Sequence, residues 1–298
     1  MADTRHFRHP AFKMAMDGFF FLLPRDWEVS GYILEDVARG GQFSFSTEGG
    51  SQGQFSWRKV KAVPDQERIM EEVHRRHLGE EPKMRFTRHG QAFLGHTRQG
   101  ERFYASAFNL KKMFLFEWVF PKYTKDLADM VAAMLETFTL NEPEDGRQFY
   151  ALCGLEVSVP ADYHFTKFEP YPAAVTMVFE NARHYTITTH RFGMVNVYMQ
   201  GANVTNFYHR CLYARRFAIR SAVTVDPVAG NETAEVQYRA RGKFGFDFLL
   251  GPWWHGFGSA FHKVSENRVY AFEHLASHLS KPREKLKDIF RQKLQEKS

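Results

Sequence analysis

Two cysteines in 298 residues, Cys153 and Cys211, cannot supply a disulfide framework, and so sparse a thiol content suits a reducing compartment. Long apolar runs are missing as well. The candidate stretch Phe19 to Leu23 is stopped by Pro24 after five residues, far short of the roughly 18 that a membrane-spanning helix needs, so a soluble protein is expected. The decapeptide Met1 to Pro10 has neither an apolar core nor a small-residue cleavage site; the cytoplasm, and not secretion by a standard signal, is the expected location. P-loops and dinucleotide fingerprints are both absent, which removes two common motif-bearing classes of nucleotide-binding enzyme from consideration.

What the chain does have is a repeat. Gly18-Phe-Phe-Phe-Leu-Leu-Pro24-Arg-Asp26-Trp27 is echoed about 136 residues later by Gly154-Leu-Glu-Val-Ser-Val-Pro160-Ala-Asp162-Tyr163. Each reads as a strand that ends at proline and turns through an aspartate. Strand-like segments and a helix with a His-Arg pair follow in both, around His74-Arg75 and His209-Arg210. Two copies of one domain are expected, residues 1–146 and 147–298, divided at the polar stretch Asn141 to Gly146. The length agrees with two domains of ordinary size.

Composition is globular, with 44% hydrophobic and 25% charged residues, and 30 Phe raise the aromatic share to 16%. Such a load favours pleated, β-rich cores. Charge is unevenly placed: residues 1–146 carry 20 Lys/Arg against 21 Asp/Glu, whereas residues 147–298 carry 20 against 13, so the second copy holds the whole basic excess. Part of it lies on a predicted amphipathic helix, Lys281 to Leu294, which could meet an anionic surface or simply present a solvated basic face.

The predicted elements give an α+β class in each half: an antiparallel sheet with flanking helices. Helices are expected over residues 64–78, 124–135 and 203–217. In the first half, strands are expected over 91–97, 102–108 and 113–120. In the second they are expected over 223–225, 234–241, 244–250 and 268–273. This order, with Pro-x-Asp-Trp or Pro-x-Asp-Tyr after the opening strand and a Thr-Phe tail at Glu136-Thr-Phe-Thr139, resembles the PsbP-like superfamily, which includes a Ran-GTPase-binding nuclear transport factor. The resemblance covers residues 14–140 and 150–296. It implies tandem six- or seven-stranded antiparallel sheets with flanking helices, in proteins that mostly bind partners without catalysis; no functional residue set carries over.

Candidate chemistry is thin. Glu71, His74 and His77 share a predicted helix face, but a di-iron site takes ligands from four helices. His274 and His278 could grip a metal at i, i+4 spacing, yet no third ligand is visible. Cys153 and Cys211 lie in apolar contexts, and Asp26 and Asp162 read as turn-formers. No metal or other cofactor is therefore expected. The strongest local anomaly is Gly251 to His262, read as a glycine-hinged loop inserted in the second copy. Its Trp253, Trp254, His255, Phe257, Phe261 and His262 either cover the sheet or anchor a partner.

Two functions follow. The preferred one is a non-catalytic binding or assembly protein that meets a protein partner through the second copy's basic surface and aromatic loop. The other is a metal-dependent or small-molecule enzyme with a pocket between the copies using His255, His262, His274 or His278. Nucleic-acid binding ranks below both, because the basic residues are interspersed with acids and no recognised module occurs.

Overall fold

Antiparallel strands dominate the molecule. The computed structural model describes residues 11–16, 18–24, 27–36, 40–61, 68, 85–89, 92–96, 103–109, 113–122, 124–171, 173–199, 201, 203–207, 217–225, 232–240 and 254–276. The chain divides into two compact units, Met1–Ser158 and Val159–Ser298. The first begins with β1 (Ala11–Met16), β2 (Phe19–Pro24), β3 (Glu28–Asp36), β4 (Gly40–Thr47) and β5 (Gly50–Lys59). It continues with β6 (Arg85–His89), β7 (Ala92–His96), β8 (Phe103–Asn109), β9 (Phe114–Phe120), helix α1 (Lys125–Glu136), β10 (Arg147–Leu152) and β11 (Leu155–Pro160). The second holds β12 (Tyr163–Tyr171), β13 (Ala174–Asn181), β14 (Thr186–Phe192), α2 (Val195–Met199), β15 (Phe217–Val225), β16 (Glu232–Ala240), β17 (Trp254–Lys263) and β18 (Arg268–Ala276).

A four-stranded sheet is ordered β11-β10-β1-β2. Its two hairpins are the echoed segments, and β1 meets β10 at Ala15 opposite Ala151, positions that are themselves 136 residues apart. Equivalent residues thus face each other across an antiparallel pair, as in a local two-fold arrangement. Gly18 (φ 98°) and Gly154 (φ 72°) occupy the left-handed turn positions that only glycine adopts freely. Because β10 pairs with β1, the β10–β11 hairpin is held mainly with the first unit, although the repeat in sequence assigns it to the second copy.

The two seven-stranded sheets share one strand order. The first runs β3-β4-β5-β9-β8-β7-β6 and the second β12-β13-β14-β18-β17-β16-β15. In each, a three-stranded meander is joined through its third strand to the last strand of that sheet, and the remaining strands follow in reverse.

Strict period-2 alternation builds the core of the first sheet. Phe43 and Phe45 of β4, Phe55 and Trp57 of β5, and Phe116, Trp118 and Phe120 of β9 share one face and are buried. Phe19 and Phe21 of β2 and Phe138 pack against these rings with centroid separations of 4.9–5.8 Å. Gly41 makes room for this cluster, since a Cβ there would stand 2.5 Å from the Trp57 ring. Helix α1 starts at Thr124, whose side chain accepts from the Leu127 amide at 3.1 Å. Beyond its end, Thr137 accepts from the Leu22 amide and Thr139 exchanges two backbone hydrogen bonds with Phe20, closing part of the outer edge of β2.

The α+β expectation is corrected by this architecture, which is mostly antiparallel β. Helix among the described residues amounts to α1, the five-residue α2, a turn over 204–207 and the single position Arg68, besides a 3-10 turn at Val264–Glu266. The helix expected at 203–217 does start at Asn203, whose side chain accepts from the Asn206 amide, but residue 217 already opens β15. The helices expected at 64–78 and 281–294 lie essentially outside the described residues, as does the strand expected at 244–250. The physical reason for the excess of strand is that alternating aromatic and small residues form full-length strands where sequence patterning suggests turns. The clearest case is β17, which takes up most of the supposed loop.

Candidate functional site

Residues 254–262 are paired on both sides, with β16 and with β18, so the inserted-loop reading is corrected for them. Gly256 and Gly258 are not hinges. They are strand positions facing Tyr238 and Val236, where absence of a side chain lets neighbouring residues pack. Phe257 is buried, whereas Trp254, His255, Phe261 and His262 are half-buried; Trp253 and Gly251 lie outside the described residues. Alternation puts Trp254 and His262 on one face and His255, Phe257 and Phe261 on the other, so the five described candidates do not form one surface. His274 is buried and its Nε2 lies 3.0 Å from the Tyr163 hydroxyl. Burial first, and then the neighbouring Asp162 and Tyr185, push the Tyr163 phenol up to about 12. Among the described residues no group of three or more His, Cys, Asp or Glu side chains could hold a metal ion. His278 lies outside them.

One end of the second sheet carries a different concentration of features. There the chain leaves β12 at Tyr171, leaves β14 at Phe192 to enter α2, and passes from β17 to β18 through the 3-10 turn at Val264–Glu266. Tyr171, Met194, Val197 and Val264 are exposed at 62%, 56%, 51% and 48%, and they are four of the six exposed large apolar side chains among the described residues. Hydrogen bonds stitch the three segments together. The Gly193 amide donates to the Ala173 carbonyl at 2.7 Å. Asn267, held in the left-handed region at φ 52°, accepts from the Asn196 amide through its side chain at 2.8 Å and donates back to Asn196 Oδ1 at 2.7 Å.

Beneath this end lies a small apolar cluster. Val195 and Met199 of α2, with Val204 and Phe207, cover Ala234, Val236, Ala260, Val269 and Ala271 of the sheet. The exposed residues of α2 are therefore presented by a helix whose other side is anchored. Around the rim, Glu266 takes Lys263 at 2.9 Å, Arg268 at 3.6 Å and the Tyr270 hydroxyl at 2.7 Å. Burial alone would raise its pKa, but these three partners outweigh it and hold the carboxyl below the usual range. His262 sits inside the rim opposite Glu232. Burial lowers its pKa, with Glu232 opposing, and so favours the neutral ring.

Sequence reasoning missed this end because its apolar residues come from three short connections with no shared spacing. It also missed a buried pair of glutamates for which a signal exists, the dipeptide Phe-Glu at 116–117 and again at 272–273. Both stand on the central strand of their own sheet. Glu117 faces Ser56 and Ser106 and accepts from the Tyr104 hydroxyl at 2.8 Å, with Arg58 at 3.4 Å. Glu273 faces Thr188 and Gly258 and is 2% exposed. Their recurrence at one topological position marks a shared architectural element and not a catalytic dyad, since each belongs to a different sheet.

No family model and no curated protein matches the chain. Among solved structures it is similar to the apo form of the immunity protein TplEi of the T6SS from Pseudomonas aeruginosa, at 10% identity and a TM-score of 0.36, covering 95% of this chain and 94% of that one. TplEi complexed with "L" peptide gives 10% identity and a TM-score of 0.34, with 91% and 89% covered. The Tle4–Tli4 complex gives 10% and 0.35, with 91% and 88% covered. Likeness at these scores is too low to carry an argument about function. None of these is a PsbP-like or Ran-binding domain, and the strand-dominated units lack the flanking helices that such a resemblance implies, so the PsbP-like expectation is corrected. No helix among the described residues is long and apolar enough to cross a membrane.

Proposed function

We propose that this chain is a non-catalytic binding protein whose second unit holds a protein partner on the sheet end formed by Tyr171, Met194, Val197 and Val264. The observation that carries the reading is that end itself. Large apolar side chains stand exposed on short connections that hydrogen bonds and a buried cluster hold in place. Ordered exposed apolar groups of this kind are what an interface needs, because little conformational freedom is then lost on binding. Of the aromatic-strand candidates, His262 lies at this end, while Trp254 and His255 begin β17 at the other and would contribute only to a second contact.

The test is site-specific photo-crosslinking in the cells the protein comes from, with the crosslinker placed at Val197 and, as a control, at Arg183 at the opposite end of the sheet. A discrete adduct with one other protein from position 197 and none from 183 is expected. Absence of any protein adduct from either position, under conditions where the protein is folded, would defeat the reading.

A further inference from the structure

We infer that the outer edge of β3, in the first unit, accepts an extended segment of another protein that adds to the sheet as a further strand. Among the described strands β3 pairs with β4 alone. Its other edge therefore presents main-chain donors and acceptors, which an extended chain satisfies. The two remaining exposed large apolar side chains, Tyr32 at 40% and Ile33 at 55%, both stand on this strand.

β12 holds the same place in the second sheet and shows what a guarded edge looks like. Both strands are nine residues long, and they correspond at the spacing of the repeat, with Val29 opposite Phe45 and Phe165 opposite Phe179. Each then bulges at a hydroxyl residue that donates to a carbonyl of the neighbouring strand, Ser30 to Ser44 at 3.3 Å and Thr166 to Val178 at 3.1 Å. Past the bulge they diverge. In β12, Lys167 and Glu169 form a salt bridge at 2.6 Å, Phe168 is buried, and Pro170 removes an amide from the strand. β3 has Gly31, Tyr32, Ile33 and Leu34 at these four positions, and Tyr32 faces Phe43 at the margin of the ring cluster. Charged residues and proline are common guards of a sheet edge. Between residues 167 and 170 β12 has both, whereas β3 has neither between 31 and 34.

Charge separates a foreign strand from a second copy. Residues 28–36 and 40–47 contain Glu28, Glu35 and Asp36 and no Lys or Arg. Pairing β3 with its own copy over its full length, antiparallel about a two-fold axis, sets Glu28 opposite Asp36 at both ends, and like charges directly opposite repel. Glu28 is exposed and has no ion-pair partner among the described residues, so an incoming strand with Lys or Arg at that position meets the opposite sign.

The full chain is titrated with the peptide Lys-Thr-Val-Thr-Val-Thr-Val-Lys, with the same peptide N-methylated at its inner amides, and with a version ending in Glu. The Lys-ended peptide should bind and its N-methylated form should not, because the two differ only at main-chain donors. The Glu-ended peptide should bind at least about threefold more weakly, and Glu28→Lys should narrow that gap. Leu34→Pro copies the residue that β12 carries, so it should leave the melting temperature nearly unchanged and abolish binding. Should that variant fail to fold, Ile33→Lys keeps every main-chain group and should weaken the Lys-ended peptide by about tenfold. Failure of the Lys-ended peptide to bind, equal binding of the N-methylated peptide, or binding unmoved by the edge variants would overturn the inference. A concentration-dependent dimer of the full chain, lost on Leu34→Pro or Ile33→Lys, would overturn it by giving the edge to a second copy.

Discussion

Replacing Phe55 by alanine tests whether the ring cluster is what holds the first unit together. Phe55 is fully buried, with ring centroids at 5.0 Å from Phe19, 5.0 Å from Phe21, 5.7 Å from Trp57, 6.2 Å from Phe116 and 4.8 Å from Trp118. Five aromatic pairs at roughly 0.5–1.5 kcal/mol each cannot simply be added, because they share one ring and one cavity. The cost of truncating a buried Phe, about 3–5 kcal/mol, is the better guide. Against a domain stability of about 5–15 kcal/mol this is a large fraction, equivalent to roughly two to four orders of magnitude in the folding constant. Urea unfolding followed by tryptophan fluorescence reads the effect directly, since Trp57 and Trp118 are 2% and 0% exposed beside the mutated ring. The midpoint should fall with little change in slope, and Phe55→Leu, which restores most of the apolar volume, should recover more than half of the loss. A Phe55→Ala cost below about 1 kcal/mol would refute the claim that this cluster is close-packed.

In the second unit, the Tyr163 phenol, raised from 10.0 to about 12, keeps its proton longer folded than unfolded. Its contribution is therefore complete below pH 10 and is lost as pH rises toward 12, by about 2–3 kcal/mol; Tyr163→Phe should remove that alkaline step in a pH series of melts. Asn267→Ala deletes both side-chain hydrogen bonds to Asn196 and replaces a residue that tolerates the left-handed region, here at φ 52°, by one that tolerates it less, so a loss of about 2–3 kcal/mol is expected, with Asn267→Gly recovering the backbone part alone. Thr137→Val removes the acceptor of the Leu22 amide while keeping the shape, and a loss of about 1–3 kcal/mol should appear in the same assay, with faster hydrogen exchange at Leu22.

Much of the strand framework was legible because β sheets announce themselves by period 2. Phe43/Phe45 and Phe55/Trp57 alternate with polar residues, Glu117 separates Phe116 from Trp118, and the Pro24 and Pro160 stops bound β2 and β11 in register with the repeat. The balance between helix and strand was less so. Residues 254–262 combine glycines with aromatics, a composition typical of a turn when taken locally, yet in the sheet Gly258 stands between Val236 and Glu273 of the paired strands. Only the neighbouring strands reveal that, and they are distant in sequence.

The same contrast explains why the exposed apolar end of the second sheet escaped a reading that looked for adjacent residues. An anomaly in one contiguous stretch, such as Trp253 to His262, draws attention because its residues are adjacent in sequence, but β pairing sends alternate members to opposite faces. Tyr171, Met194, Val197 and Val264 show the converse. Separated by up to 93 positions in the chain, they converge because consecutive antiparallel strands return every second connection to the same end of the sheet. A site built on sheet ends is therefore written in the connections, one or two residues from each, and its residues share no spacing.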